Sequence, residues 1–157
     1  MLTKIKNVKY LLVIFFIAFL SWEVSAKEND FLAVHGGYTF ETTEGQRGTA
    51  VYLSFFNPGK TDVNIKSFSS NIAEKVEMHD IKLIDDVMKM FPIKNLKIAS
   101  KSELFLQPGG KHLMFFGLKR KLNDGEIINL KIHLDSNKVL ETNIMVLNKK
   151  LRENYLN

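Results

Sequence analysis

Between Met78 and Met114 lie two of the chain's four histidines and four of its six methionines. Ten residues separate His79 from Met90, twenty-one separate Met90 from His112, and one separates His112 from Met114. Brought to one point, two imidazoles and two or three of the thioethers form a soft, uncharged donor set. Such a set suits Cu(I) far better than Zn(II), Mg(II) or Ca(II). Zinc sites recruit thiolate, imidazole or carboxylate, and calcium or magnesium sites need several oxygens. A thioether neither titrates nor ends in a disulfide, so it remains a ligand in an oxidising compartment. Its liability is conversion to the sulfoxide. With no anionic ligand the bound ion keeps its own positive charge, which favours handing it on over trapping it.

Strands are the elements that must position these donors. Apolar runs of strand length recur between turn signals, and no 3.6-residue stripe of helical length is present. The pattern predicts strands over residues 31–40, 49–56, 63–69, 75–83, 87–93, 96–99, 103–106, 112–118, 126–134 and 139–146. Asn57-Pro58-Gly59, Pro108-Gly109-Gly110, Asn123-Asp124-Gly125 and Asp135-Ser136-Asn137 read as turns, because Gly and Asn accept positive φ and Pro presets φ. Strands of this number and spacing favour a two-sheet sandwich or a barrel. Alternate side chains of a strand share a face, so His112 and Met114 point one way while Leu113 and Phe115 point the other. The same period puts Met88 with Met90 and turns Met78 away from His79. Met78 is therefore expected to pack inside, and Met88 stands as an alternative donor to Met90. The Gly109-Gly110 pair lets the backbone turn sharply and carry His112 to an accessible rim. His35 and His133 read as structural, and Met145 as core.

Val76-Glu77-Met78-His79, Val87-Met88-Lys89-Met90-Phe91-Pro92 and Leu106-Gln107-Pro108-Gly109-Gly110-Lys111-His112-Leu113-Met114, followed by Gly117-Leu118, resemble the periplasmic copper chaperones called PCuAC. The family motif of a His, ten residues, a Met, twenty-one residues and His-x-Met falls on His79, Met90, His112 and Met114. The resemblance runs from about Phe31 to Leu147. It implies an all-β, cupredoxin-like or immunoglobulin-like Greek-key β-sandwich that binds one Cu(I) through those four residues. It also implies delivery of copper to the Cu-A subunit of a haem-copper oxidase, beside a Sco-like partner. Many relatives carry a His- and Met-rich C-terminal tail, whereas residues 148–157 here contain neither residue type.

The flanking segments fit an exported carrier. Lys4, Lys6 and Lys9 precede an apolar run from Tyr10 to Leu20, and Val24-Ser25-Ala26 resembles a small-residue cleavage site. Residues 1–26 thus read as a cleaved signal peptide, since that run is too short to span a bilayer, which takes about 20 residues. Residues 27–147 follow as one copper-binding β-sandwich domain and 148–157 as a short polar tail, with a periplasmic location and no stable membrane insertion after cleavage. Cleavage would remove Lys4, Lys6, Lys9 and Glu23 and so lower the formal net charge from +5 to +3. The mildly basic remainder has no Lys/Arg run longer than Lys119-Arg120-Lys121 and no interleaved aromatics, so nucleic acid is not an expected partner.

Composition narrows the function classes further. With no cysteine, a blue-copper electron-transfer site, a thiol oxidoreductase and a lipid-modified N-terminal cysteine are all excluded. Nor is there a Gly-x-Ser-x-Gly nucleophile motif. The expectation is a carrier without turnover chemistry, with an exported immunoglobulin-like binding or assembly domain, free of metal, as the alternative. Glu77 and Asp80 flank His79, where a carboxylate either orients the imidazole or solvates a strand edge. Lys89 and Lys111 flank the other donors and, if they ring the metal, would guide docking onto an acidic acceptor.

Overall fold

A computed structural model describes residues 32–151 of the chain. The proposed signal peptide at residues 1–26 and most of the tail lie outside the described residues. All ten expected strands are present: β1 (Ala33–Phe40), β2 (Gly48–Phe56), β3 (Val63–Ser69), β4 (Lys75–Ile84), β5 (Val87–Pro92), β6 (Leu96–Ile98), β7 (Glu103–Phe105), β8 (His112–Phe116), β9 (Ile127–Leu134) and β10 (Val139–Leu147). β8 stops two residues earlier than expected because Gly117 takes a φ of 64°, outside the strand region. One turn carried no glycine or proline to mark it. Asp85 and Asp86 both adopt positive φ, 52° and 58°, and close β4 and β5 into a tight hairpin.

The strands run in the order β5-β4-β8-β2-β1-β10-β9-β3-β6, with β7 also on β2 and a further β3–β4 pairing at Phe68 and Val76. That last bridge joins the two sides of a folded-over sheet, which gives the all-β sandwich expected. Sequence-distant strands become neighbours, so the chain crosses between sheets rather than meandering. Among the described residues β1 and β10 form a parallel pair, with Tyr38 opposite Met145.

Alternation along each strand decides what fills the core. β2 shows it plainly: Val51, Leu53 and Phe55 are buried while Ala50, Tyr52 and Ser54 between them are only partly covered. Phe115, Leu113, Leu122, Leu130, Ile132, Ile144 and Val146 are likewise fully buried apolar side chains. Met78 is buried as expected. Met145 is not core: with Ile144 and Val146 pointing inward, the period of two turns it outward, and it is 50% exposed.

Candidate metal centre

β4 and β8 are antiparallel neighbours, and their register sets His79 directly opposite His112 and Glu77 directly opposite Met114. β5 lies on the other side of β4, with Pro92 opposite His79 and Met90 opposite Ile81. His79 therefore has His112 straight across, Met114 one diagonal step away on β8 and Met90 one diagonal step away on β5. Diagonal neighbours lie about 7–8 Å apart at Cα, within reach of long side chains. All four side chains share the outer face of the sheet, since Met78, Leu113 and Phe115 occupy the inner one. Sequence spacing alone could not specify this, because β8 pairs with β4 across three intervening strands.

Hydrogen bonding fixes which ring nitrogen each histidine offers. His112 Nδ1 lies 2.9 Å from the Gly110 carbonyl, which can only accept, so Nδ1–H donates and Nε2 keeps its lone pair. His79 Nε2 lies 3.3 Å from a Glu77 carboxylate oxygen, so that nitrogen donates and Nδ1 keeps the lone pair. That Nδ1 is buried and has no hydrogen-bond partner. Leaving a buried acceptor unsatisfied costs about 1–3 kcal/mol, a cost that coordination of a metal ion would remove. The two rings are 6.0 Å apart between centroids, with Phe116 5.7 Å from His79 and Tyr52 6.5 Å from His112.

The setting is more sheltered than a rim. His112 is only 4% exposed, and the aromatic neighbours wall the pair from the side. Met114 is partly buried, whereas Met90 and Met88, on an edge strand whose six residues are all exposed, stand open to solvent. Among the described residues no three His, Cys, Asp or Glu side chains gather to hold a metal ion. Donors beyond the two imidazoles would thus be the thioethers, the chemistry of a soft monovalent ion.

Glu77 contacts His79 rather than merely edging the strand. Its carboxyl is held below the usual range first by the Lys75 ammonium, 2.7 Å away, and then by the His79 ring N–H. An acceptor on the second ring nitrogen fixes the tautomer a metal needs. Glu77→Ala is expected to lower Cu(I) affinity about tenfold in a chelator competition, and unchanged affinity would reduce Glu77 to a solvating residue. Asp80 does not share this role. It pairs with Lys111 at 3.2 Å, on the opposite side of β4 from His79. Lys89 sits opposite Lys82 and alternates with Met88 and Met90, so it too turns away. The two lysines do not ring the histidines.

Three contributors had no signal in the sequence. Tyr52 flanks His112 only because β2 pairs with β8. Gly110 supplies the carbonyl that sets the His112 tautomer, beyond any part in the turn. Gly48 makes room for Met114, since a Cβ there would stand 2.9 Å from the Met114 methyl and 3.3 Å from the Phe115 carbonyl oxygen.

A family model, LpqE-like, described as "Putative lipoprotein LpqE-like", matches residues 32–146. No curated protein sequence matches the chain. Among solved structures, the chain is similar to the copper-bound PCuAC domain from PmoF2, at 13% identity and a TM-score of 0.62 over 74% of this chain and 92% of that one. It is also similar to the solution structure of CuI-DR1885 from Deinococcus radiodurans, at 23% identity and a TM-score of 0.59 over 82% of this chain and 85% of that one. The apo form of DR1885 gives 22% identity and a TM-score of 0.58. At these identities the likeness establishes the shared PCuAC fold.

Proposed function

The chain belongs to the LpqE-like family, and from that membership and the geometry of the site we propose that it is a Cu(I) carrier. The ion would be held by His79, Met90, His112 and Met114 and released by ligand exchange to a tighter acceptor. The observation that carries this reading is the facing pair of imidazoles, each with one nitrogen tied to an acceptor, and with the remaining nitrogen of His79 buried without a partner. Copper in the PmoF2 domain and in DR1885, which share the fold, supports the choice of metal.

Within that reading the carrier works in the periplasm after loss of residues 1–26. Its acceptor is the Cu-A subunit of a haem-copper oxidase, with a Sco-like protein as a further partner, and the carrier does no turnover chemistry. Among the described residues no helix is long and apolar enough to cross a membrane. The family's description mentions a lipoprotein, but this sequence has no cysteine to carry a lipid.

Anaerobic titration with Cu(I) against a competing chelator tests the proposal. One ion per chain is expected, with a rise in melting temperature of the loaded protein, because a ligand that binds only the folded state must stabilise it. No binding and an unmoved melting temperature would leave an exported β domain without a metal role. Repeating the titration with an apo Cu-A domain present tests delivery, for which net transfer of the ion is the expected result.

A further inference from the structure

Among the described residues the methionines differ widely in exposure, with Met114 intermediate. Met88 and Met90 are 59% and 58% exposed on one face of β5, and Met145 is 50% exposed on β10, while Met78 is only 2% exposed. A thioether reacts with peroxide according to its access to solvent. We propose that Met88 and Met90 form a peroxide-oxidisable pair, and that oxidation of Met90 switches off copper binding while the fold persists. The second half rests on the copper-carrier reading above.

In the reaction the thioether sulfur gives an electron pair to one peroxide oxygen and the O–O bond breaks. An S–O bond forms, and the second oxygen leaves as water. Sulfur is oxidised by two electrons and the peroxide is reduced. The product is polar and chiral, and its sulfur is a far poorer donor to a soft monovalent ion. The fold tolerates the change because all six residues of β5 are exposed and neither thioether is part of the core. Met78, on the inner face of β4, is where the same oxidation would disrupt packing, and it is shielded. Reduction of the sulfoxide by methionine sulfoxide reductases restores the donor. The hairpin thus places a reversible modification at the donor most open to solvent.

Peroxide treatment of the folded chain followed by peptide mass mapping tests both halves. Met88, Met90 and Met145 should convert at least tenfold faster than Met78. Prior loading with Ag(I), a redox-inert soft ion, in chloride-free buffer should slow conversion of Met90 and leave Met145 unchanged. Protein oxidised at Met90, with Met114 intact, should lose at least tenfold in Cu(I) affinity and regain it after reductase treatment. The Met88→Leu variant should behave in the same way. Conversion of Met78 alongside the others in folded protein overturns the selection by exposure on which the pair rests. Full affinity in the Met90 sulfoxide overturns the switch. If Met90→Leu also keeps full affinity, the donor assignment falls with it; if Met90→Leu loses affinity, the donor stands and only the oxidation proposal is lost.

Discussion

His79→Ala is expected to lower Cu(I) affinity by about 100-fold or more, beyond the roughly tenfold loss at Glu77, because it removes a donor rather than its orienting partner. His79 is the hub of the site: His112 is directly across from it, and Met114 and Met90 are each one diagonal step away. His112→Ala should show a loss of the same order. Both variants should fold, because neither imidazole belongs to the apolar core that Met78, Leu113 and Phe115 help to form, although truncating His112, which is 4% exposed, should cost stability as well. A competition titration at neutral pH, with urea unfolding as the control, reads the effect. Wild-type affinity in both variants would end the metal assignment, whatever the family membership.

Asn57→Ala should destabilise the domain by about 3 kcal/mol, through loss of several buried and part-buried hydrogen bonds at once. Asn57 is fully buried at the end of β2. Its amide nitrogen shares two N–H donors among the Thr61, Ile98 and Ala99 carbonyls at 2.8, 3.1 and 3.0 Å, and its Oδ1 accepts the Gly59 N–H at 3.0 Å. Its backbone N–H donates to the Ser102 carbonyl at 2.9 Å. One side chain therefore ties the β2–β3 turn to the segment after β6. Alanine leaves the Ile98 carbonyl and the Gly59 N–H, whose bonds to Asn57 are buried, without partners, and buried unsatisfied polar groups are costly. Denaturant unfolding measures it, and a change below about 1 kcal/mol would mean that water replaces the amide without penalty. Cu(I) affinity should be unaffected, since Asn57 contacts none of the donors.

The two residues mark the difference between what is local in this chain and what is not. The period of two along each strand is written in the side chains, so the ten strands, the inward Leu113 and Phe115 and the shared face of His112 and Met114 were legible in the sequence. Met145 is an apolar side chain in an apolar run, which suggests burial, but the alternation along β10 turns it outward. The Asp85-Asp86 turn has no glycine or proline to mark it in the sequence, yet both residues take positive φ.

The sequence by itself determined the strand content, the inward and outward faces and the types and spacing of the four candidate donors. Tertiary structure alone decided that β4 neighbours β8 with His79 level with His112, that Glu77 and Gly110 select the free nitrogens, and that Tyr52 and Phe116 shelter them. It also turned Asn57 from a turn residue into a buried staple. The physical reason is that strand neighbours are joined by backbone hydrogen bonds, and every residue but proline carries the same donor and acceptor. A one-residue slip of β8 against β4 would have turned its histidine and methionine to the other face of the sheet. Register is set by how both faces of the whole sandwich pack together.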